Sequence, residues 1–214
     1  MFREAIPDPV WRLLLGLSGL STMQSAYLAG GTALAIQLGH RISAALDFFS
    51  AEGPQYPALL DKMRKLGMNA TVISQTPQHC ELIVGAIRVD YLQERIPLRF
   101  PLKTVFSEGG RFQMADVRDI GRMKLHAIAG RGGKKDFLDL YCLTRTEIPL
   151  DELLKLAVEE QGTLRFSRLL FLKGLIDFDE AEREPMPVML WKTDWEQVKA
   201  ELTDEVKKIG MNWA

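Results

Sequence analysis

Four acids and one lysine carry the chemistry this sequence offers. Asp47 sits in "AALDFFS", Asp90 in "IRVDYL", Asp136 and Asp139 in "KKDFLDLY", and Lys124 in "RMKLHAIAG". An isolated carboxylate between Leu46 and Phe48 is costly to bury unless it is paired or metal-bound. Metal-dependent phosphoryl chemistry often sets two acids at alternate strand positions, which share one face. Here Ala45 stands where Asp47's partner would be. The stretch is either a metal site short of one ligand or a strand with a capping acid.

Asp90 shares its strand face with Arg88 and Leu92, away from Val89 and Tyr91. It meets Asp47 if the two strands are neighbours; otherwise Arg88 and Asp90 form a surface pair of small energetic value. Gly30-Gly31-Thr32 lies at a strand-to-helix junction. Backbone N–H groups at such a junction suit a phosphate, and the Thr32 hydroxyl could add a bond. A tight turn with Thr32 as a local cap is the plainer alternative. Lys124 and His126 lie on one predicted helix, and Arg131, Lys134 and Lys135 at the following turn and helix start. Asp136 and Asp139, three apart, share a helical face. This cluster suits a triphosphate or a nucleic-acid end, or is a solvated helix face with ordinary ion pairs.

The elements that must position these residues follow from period and punctuation. "DPVWRLLLGLSGL" predicts a helix capped by Asp8, with Pro9 in its first turn and Trp11, Leu14, Leu15 and Leu17 buried. "AYLAG" predicts a short strand, Thr32–Leu38 a helix, "AALDFFS" a strand and "YPALLDKMRKLG" a helix stopped by Gly67. The period then falls to two: "NATVISQT", "HCELIVG" and "AIRVDYLQE" read as successive strands. "PLKTVFSEGGRFQMAD" reads as extended chain around Gly109-Gly110. From Val117 the pattern is helical: "VRDIGRMKLHAIAG", "KKDFLDLYCLTR", "LDELLKLAVEEQ", "LRFSRLLFLKGLI" and "WEQVKAELTDEVKKIG". "REPMPVMLWKTD", with two prolines, reads as a linker before the last helix. The order is helix, mixed α/β, then all helix, so an α/β (α+β) core over residues 1–115 and a helical C-terminal region over 116–214 are expected.

Composition excludes several classes. The 214 residues hold 27 basic and 28 acidic side chains, a net charge of −1, which is no whole-chain nucleic-acid footprint. Cys80 and Cys142 are the only cysteines, too few for a disulfide framework or a zinc quartet, and read as free core thiols. The N-terminus does not read as a signal peptide, and no apolar run reaches the ~18 residues of a membrane span, so a cytoplasmic protein is expected.

Taken in order, these pieces resemble the nucleotidyltransferase AbiEii/AbiGii toxin family of the polymerase-β-like nucleotidyltransferases. The resemblance rests on "YLAGGTALAIQLGHRIS" followed by "LDFFS", on "RVDYL", on "KLHAIAGRGGKKDFLDLYCL" and on "FDEAEREPMPVML…DWEQVK". It runs from about residue 9 to about residue 208. It implies a polymerase-β-like core with a mixed sheet. It implies that Gly30, Gly31 and Thr32 form the nucleotide-phosphate turn, and that Asp47 is the second acid of an Asp-x-Asp metal motif. It implies that Asp90 is the third carboxylate, with Asp47 and Asp90 as metal ligands. Lys124, Asp136 and Asp139 match the fourth motif, which places the nucleotide and the catalytic centre; Lys124 also counts among the nucleotide-binding residues. His40, Arg41 and Ser43 match the link between the first two motifs. The implied reaction is transfer of an NMP from an NTP to an RNA end such as tRNA, or to a protein hydroxyl. Mg²⁺ or Mn²⁺ is the implied cofactor, and the implied setting is a bacterial toxin–antitoxin or phage-defence system with an antitoxin partner. Ala45 departs from the pattern, which has Asp there, so the chain as given is expected to be inert or nearly so. The rival reading is a decayed, non-catalytic module that binds a nucleotide or a partner. A metal-independent kinase-like reading finds no motif.

Overall fold

A computed structural model describes residues 1–159 and 166–211. The strand β2 (Leu46–Ser50) alternates as its sequence demands: Leu46, Phe48 and Ser50 are buried, and Asp47 and Phe49 lie on the other face. Burying Leu46 and Phe48 stabilises by about 1.5–3 kcal/mol each. A one-residue slip would exchange them for Asp47, so the register is fixed.

Around β2 a seven-stranded mixed sheet forms in the order β3-β4-β5-β2-β1-β7-β6. β1 is Tyr27–Ala29, β3 Ala70–Thr76, β4 His79–Val84, β5 Ile87–Gln93, β6 Lys103–Ser107 and β7 Gly110–Met114. β2 runs antiparallel to β1 and parallel to β5. β1 and β7 are also parallel, while β3, β4 and β5 form an antiparallel meander. The extended stretch around Gly109-Gly110 is the β6–β7 hairpin.

The helices are α1 (Asp8–Ser18), α2 (Gly30–Leu38), α3 (Tyr56–Lys65), α4 (Val117–Gly130), α5 (Lys134–Thr146), α6 (Leu150–Val158), α7 (Arg168–Gly174), α8 (Asp179–Glu182) and α9 (Trp195–Met211). α2 packs on β1 and β2 and also against α4 and α5. It is the joint between the sheet and the helical region, and both contribute to one contiguous core. Gly39 ends α2 in the left-handed conformation, φ 68°, as a C-terminal glycine does. Phe137, Phe178 and Trp195 pack together in tilted and edge-to-face contacts and tie α5 to the C-terminal elements.

Two expectations are corrected here, and one element is added. Asp8 is not the cap of α1: Pro7 holds that position, and Asp8 is inside the helix and paired with Arg3. The short helix α8 was not foreseen, its four residues being too few to show a period. The proline-bearing "linker" is a docked strap, because its backbone bonds to residues 40–42. The expected helix around "LDELLKLAVEEQ" is present to Val158, and that around "LRFSRLLFLKGLI" from Arg168; positions 160–165 of both expectations lie outside the described residues. Cys80 and Cys142 are buried and unlinked, as their scarcity suggested. Among the described residues no helix is long and apolar enough to cross a membrane.

Candidate functional site

The parallel register of β2 and β5 sets Asp47 directly beside Asp90. Both line a cleft of about 690 Å³, and Ala45 lines it too. The two acids therefore converge, and the Arg88–Asp90 pair is not merely superficial: Asp90 is buried. Its Oδ2 accepts from Arg88 Nε at 2.8 Å, and its Oδ1 lies 2.6 Å from His79 Nε2. Asp47 is less well provided. Burial, and then the charge of Asp90, push its carboxyl group above the usual carboxylate range. A carboxylate raised by burial and a like charge in a cleft is the electrostatic pattern of a site awaiting a cation.

The glycine pair answers to side chains of this same site. Gly30 adopts φ +63°, and a Cβ there would lie 2.3 Å from Asp47 Oδ2. A Cβ on Gly31 would lie 2.1 Å from Arg41 Nη2. Any side chain at either position would evict a charged group. Thr32, by contrast, is buried, with its hydroxyl 2.8 Å from Ser43 Oγ and bonded to the carbonyl of Ala45. It tethers the segment that leads into β2.

The second acid pair lies on α5, opposite. Asp139 is wholly buried and receives Arg41 Nε at 2.6 Å, Arg41 Nη2 at 2.9 Å, Lys124 Nζ at 2.7 Å and His40 Nε2 at 2.7 Å. Burial would raise its carboxyl group, but Lys124 and Arg41 overcome this and hold it well below the usual range. Burial alone would lower Lys124; Asp136 and Asp139 offset it and the net shift is upward, so the ammonium stays charged. Lys124 also reaches Asp136 Oδ1 at 2.8 Å, so two of its three donors serve these acids. Asp136 Oδ2 accepts from Arg131 Nε at 3.1 Å. Arg131 and Lys135 remain at the surface of the cleft, whereas Lys134 is buried, its Nζ on the carbonyl of Glu184.

The remaining wall is the strap. Its Glu184 carboxylate accepts the Lys134 backbone N–H at 2.9 Å, which caps α5 from a distance of 50 residues. Farther along, Ile42 N–H bonds to Val188 O at 2.8 Å and Leu190 N–H to His40 O at 2.9 Å. Glu184, Pro185, Pro187 and Val188 thus enter the cleft lining.

Every acid singled out from the sequence is therefore near the cleft: Asp47, Asp90 and Asp136 line it with Lys124 and Gly31, while Asp139 lies behind them. The sequence reading missed His79, which reaches Asp90 diagonally across the β4–β5 ladder. It also missed the strap, whose only signal was its pair of prolines. No group of three or more His, Cys, Asp and Glu among the described residues could hold a metal ion unaided. Asp47 and Asp90 are the adjacent carboxylates of the cleft, the oxygen donors a hard divalent cation would require, though both oxygens of Asp90 already meet His79 and Arg88. A second cavity, about 550 Å³ between α1 and the β6–β7 hairpin, is lined by none of these acids.

Comparison with known proteins gives a consistent result. Residues 12–214 match the profile of the family described as nucleotidyl transferase AbiEii toxin, type IV toxin–antitoxin system. The uncharacterized protein aq_aa25 of Aquifex aeolicus (strain VF5) is 33% identical over 193 residues, spanning 87% of this chain and 88% of its own. Among solved structures, MenT4, a nucleotidyltransferase toxin from Mycobacterium tuberculosis H37Rv, superposes with a TM-score of 0.59 at 16% identity. That match covers 92% of this chain and 79% of the other. A candidate nucleotidyltransferase from H. pylori superposes with a TM-score of 0.57 at 16% identity, covering 96% of each chain. At such identities these two likenesses speak to the fold, which is that of nucleotidyltransferases.

Proposed function

The chain belongs to the nucleotidyl transferase AbiEii toxin family of type IV toxin–antitoxin systems, and from that premise we propose that its cleft binds an NTP and is built to pass the NMP to an acceptor hydroxyl. The acceptor is an RNA end such as tRNA, or a protein side chain, and an antitoxin holds the activity in check in the cytoplasm. The observation that carries this reading is the lateral pairing of Asp47 with Asp90 in a cleft faced by Lys124, Arg131 and Lys135. In the reaction the acceptor oxygen bonds to the α-phosphorus, the bond to the β-phosphate oxygen breaks, and pyrophosphate leaves. The hydroxyl proton passes to a cleft carboxylate or to water. Arg131 and Lys135 bind the phosphates at the cleft surface, while the absent side chain of Gly31 makes room for Arg41. Asp136 orients Lys124 toward them. Asp47 and Asp90 would hold Mg²⁺ or Mn²⁺, which supplies charge neutralisation on the phosphates and on the attacking oxygen.

With Ala45 in the lining the cleft offers one carboxylate fewer than the family pattern, so we expect the chain as it stands to bind far better than it turns over. The test is Ala45→Asp. Label transfer from an α-labelled NTP to RNA or protein in Mg²⁺ or Mn²⁺ should rise by at least ~100-fold over the chain as it stands. Its host should grow more slowly without antitoxin, and Asp47→Ala in the Ala45→Asp background serves as the blank. Full-rate transfer by the unaltered chain would refute the missing-ligand account.

A second reading, a nucleotide- or partner-binding module without catalysis, is favoured by one observation. Both oxygens of Asp90 already have protein partners, His79 and Arg88. It becomes the better account if Ala45→Asp folds, binds NTP and transfers nothing to any acceptor tried.

A further inference from the structure

The cleft has two chemically different ends, and only one of them suits a phosphate. Arg131 and Lys135 stand beside Asp136 at the start of α5. Beyond Glu184, which is held on the α5 N-terminus, the strap runs to its pairing with Ile42, and there the lining is Pro185, Pro187, Val188 and Ile42, none of which carries a polar side-chain atom. A nucleotide has the same division: a polyanion at one end and a flat, largely apolar ring at the other. This strap wall is anchored at both ends, by Glu184 on the α5 N-terminus and by the Ile42–Val188 and His40–Leu190 backbone bonds. Those bonds use the strap's backbone and leave its side chains free. Met186, Val188 and Leu190, at alternate positions, are 41%, 67% and 45% exposed. Of the strap's apolar side chains, those of Pro185, Pro187 and Val188 line the cleft, and a strap that spends its backbone on docking in this way is shaped to receive an apolar surface.

We infer that the strap wall of Pro185, Pro187 and Val188, with Ile42, is the subsite for the base of the incoming nucleotide. The inference rests on the reading of the cleft as an NTP site and adds what that site selects. A proline, valine and isoleucine wall grips a base by apolar contact and dispersion, which every base offers equally. It has no side-chain donor or acceptor with which to read a base edge. The subsite therefore takes any of the four bases, and it distinguishes a nucleotide from a bare polyphosphate.

Calorimetric titration in Mg²⁺ tests this with ATP, GTP, CTP, UTP and inorganic tripolyphosphate, on the full chain and on Val188→Asn. That substitution is neutral and lies at an exposed position, and a melting curve confirms folding. The four NTPs should bind within about three-fold of one another and roughly ten-fold tighter than tripolyphosphate. Val188→Asn should weaken the NTPs several-fold and leave tripolyphosphate unchanged. One NTP preferred more than ten-fold over the others, or NTP binding untouched by Val188→Asn, or an equal loss for tripolyphosphate, would overturn the subsite while leaving the NTP site standing. Failure of tripolyphosphate and all four NTPs to bind would remove the NTP site itself, and the subsite with it.

Discussion

Two pairs of carboxylates flank one cleft, and one acid of each is pushed in the opposite electrostatic direction. On the strands, Asp47 and Asp90 lie side by side, and burial and mutual repulsion push the Asp47 carboxyl group up. On α5, Asp139 is held down by Lys124, Arg41 and His40, and Asp136 is shared between Lys124 and Arg131. Asp90 is met by Arg88 and His79, so the unrelieved negative charge of the first pair is that of Asp47. The second is saturated by the protein's own cations. An acid that the fold satisfies is there to hold something in place; an acid that the fold leaves short is there for something that arrives from outside. Asp139, which matches a catalytic motif by resemblance, is engaged by Arg41, Lys124 and His40 behind the cleft lining.

The contrast can be broken in three ways, beginning with the largest effect. In the Ala45→Asp background, Asp47→Asn should lower label transfer by about 10²–10³, the scale on which loss of one electrostatic stabiliser at a reacting centre is felt. Melting behaviour should change little, and NTP binding less than turnover. Next, Asp139→Ala should destabilise the fold by about 3–5 kcal/mol in urea denaturation, because it strands Arg41 and Lys124 without their buried partner. A loss under 1 kcal/mol would show that the saturated pair is not structural. Smallest, and of opposite sign, Asp47→Asn should stabilise the metal-free chain at neutral pH by removing a charge that burial and Asp90 disfavour.

The pH dependence sharpens this last pair, because the two shifts run in opposite senses. Asp139 is depressed, so its contribution is fully present above the unfolded carboxylate value of about 3.9 and is lost as pH falls through its folded value. Asp47 is raised, so its cost develops as pH climbs from about 3.9 through its folded value and persists above it. Both mutant-minus-wild-type differences should therefore shrink toward acid, one from below zero and the other from above. Denaturation midpoints across pH 3–8 read the Asp47 change and the onset of the Asp139 one, which runs on below that range.

What the sequence disclosed and what it withheld divide along sequence separation. The period-two stretch around Asp90 and the apolar–acid–apolar run around Asp47 announce strands and faces, because alternation is local. The glycine pair announces a close approach, though not to what: Asp47 and Arg41 are the answer, 17 and 10 positions away. The Arg41–Asp139 bond joins residues 98 apart, and no spacing rule reaches that far. His79 escaped because its link to Asp90 depends on the β4–β5 register, which the turn at Gly85 sets. The strap escaped because prolines were read as a break in structure. In fact they spare two positions from needing a backbone N–H partner in a segment that pairs only in part.

The strap's place in the chain has a consequence for biosynthesis. Translation delivers β2, β5, α4 and α5 in that order, so both acid pairs and Lys124 emerge before Glu184 does. Until residues 184–190 follow, α5 lacks its distant cap and the cleft lacks one side. A nascent chain on the ribosome can thus carry the whole set of charged groups without yet owning the enclosure that gives them a common ligand, and an interrupted chain never acquires it.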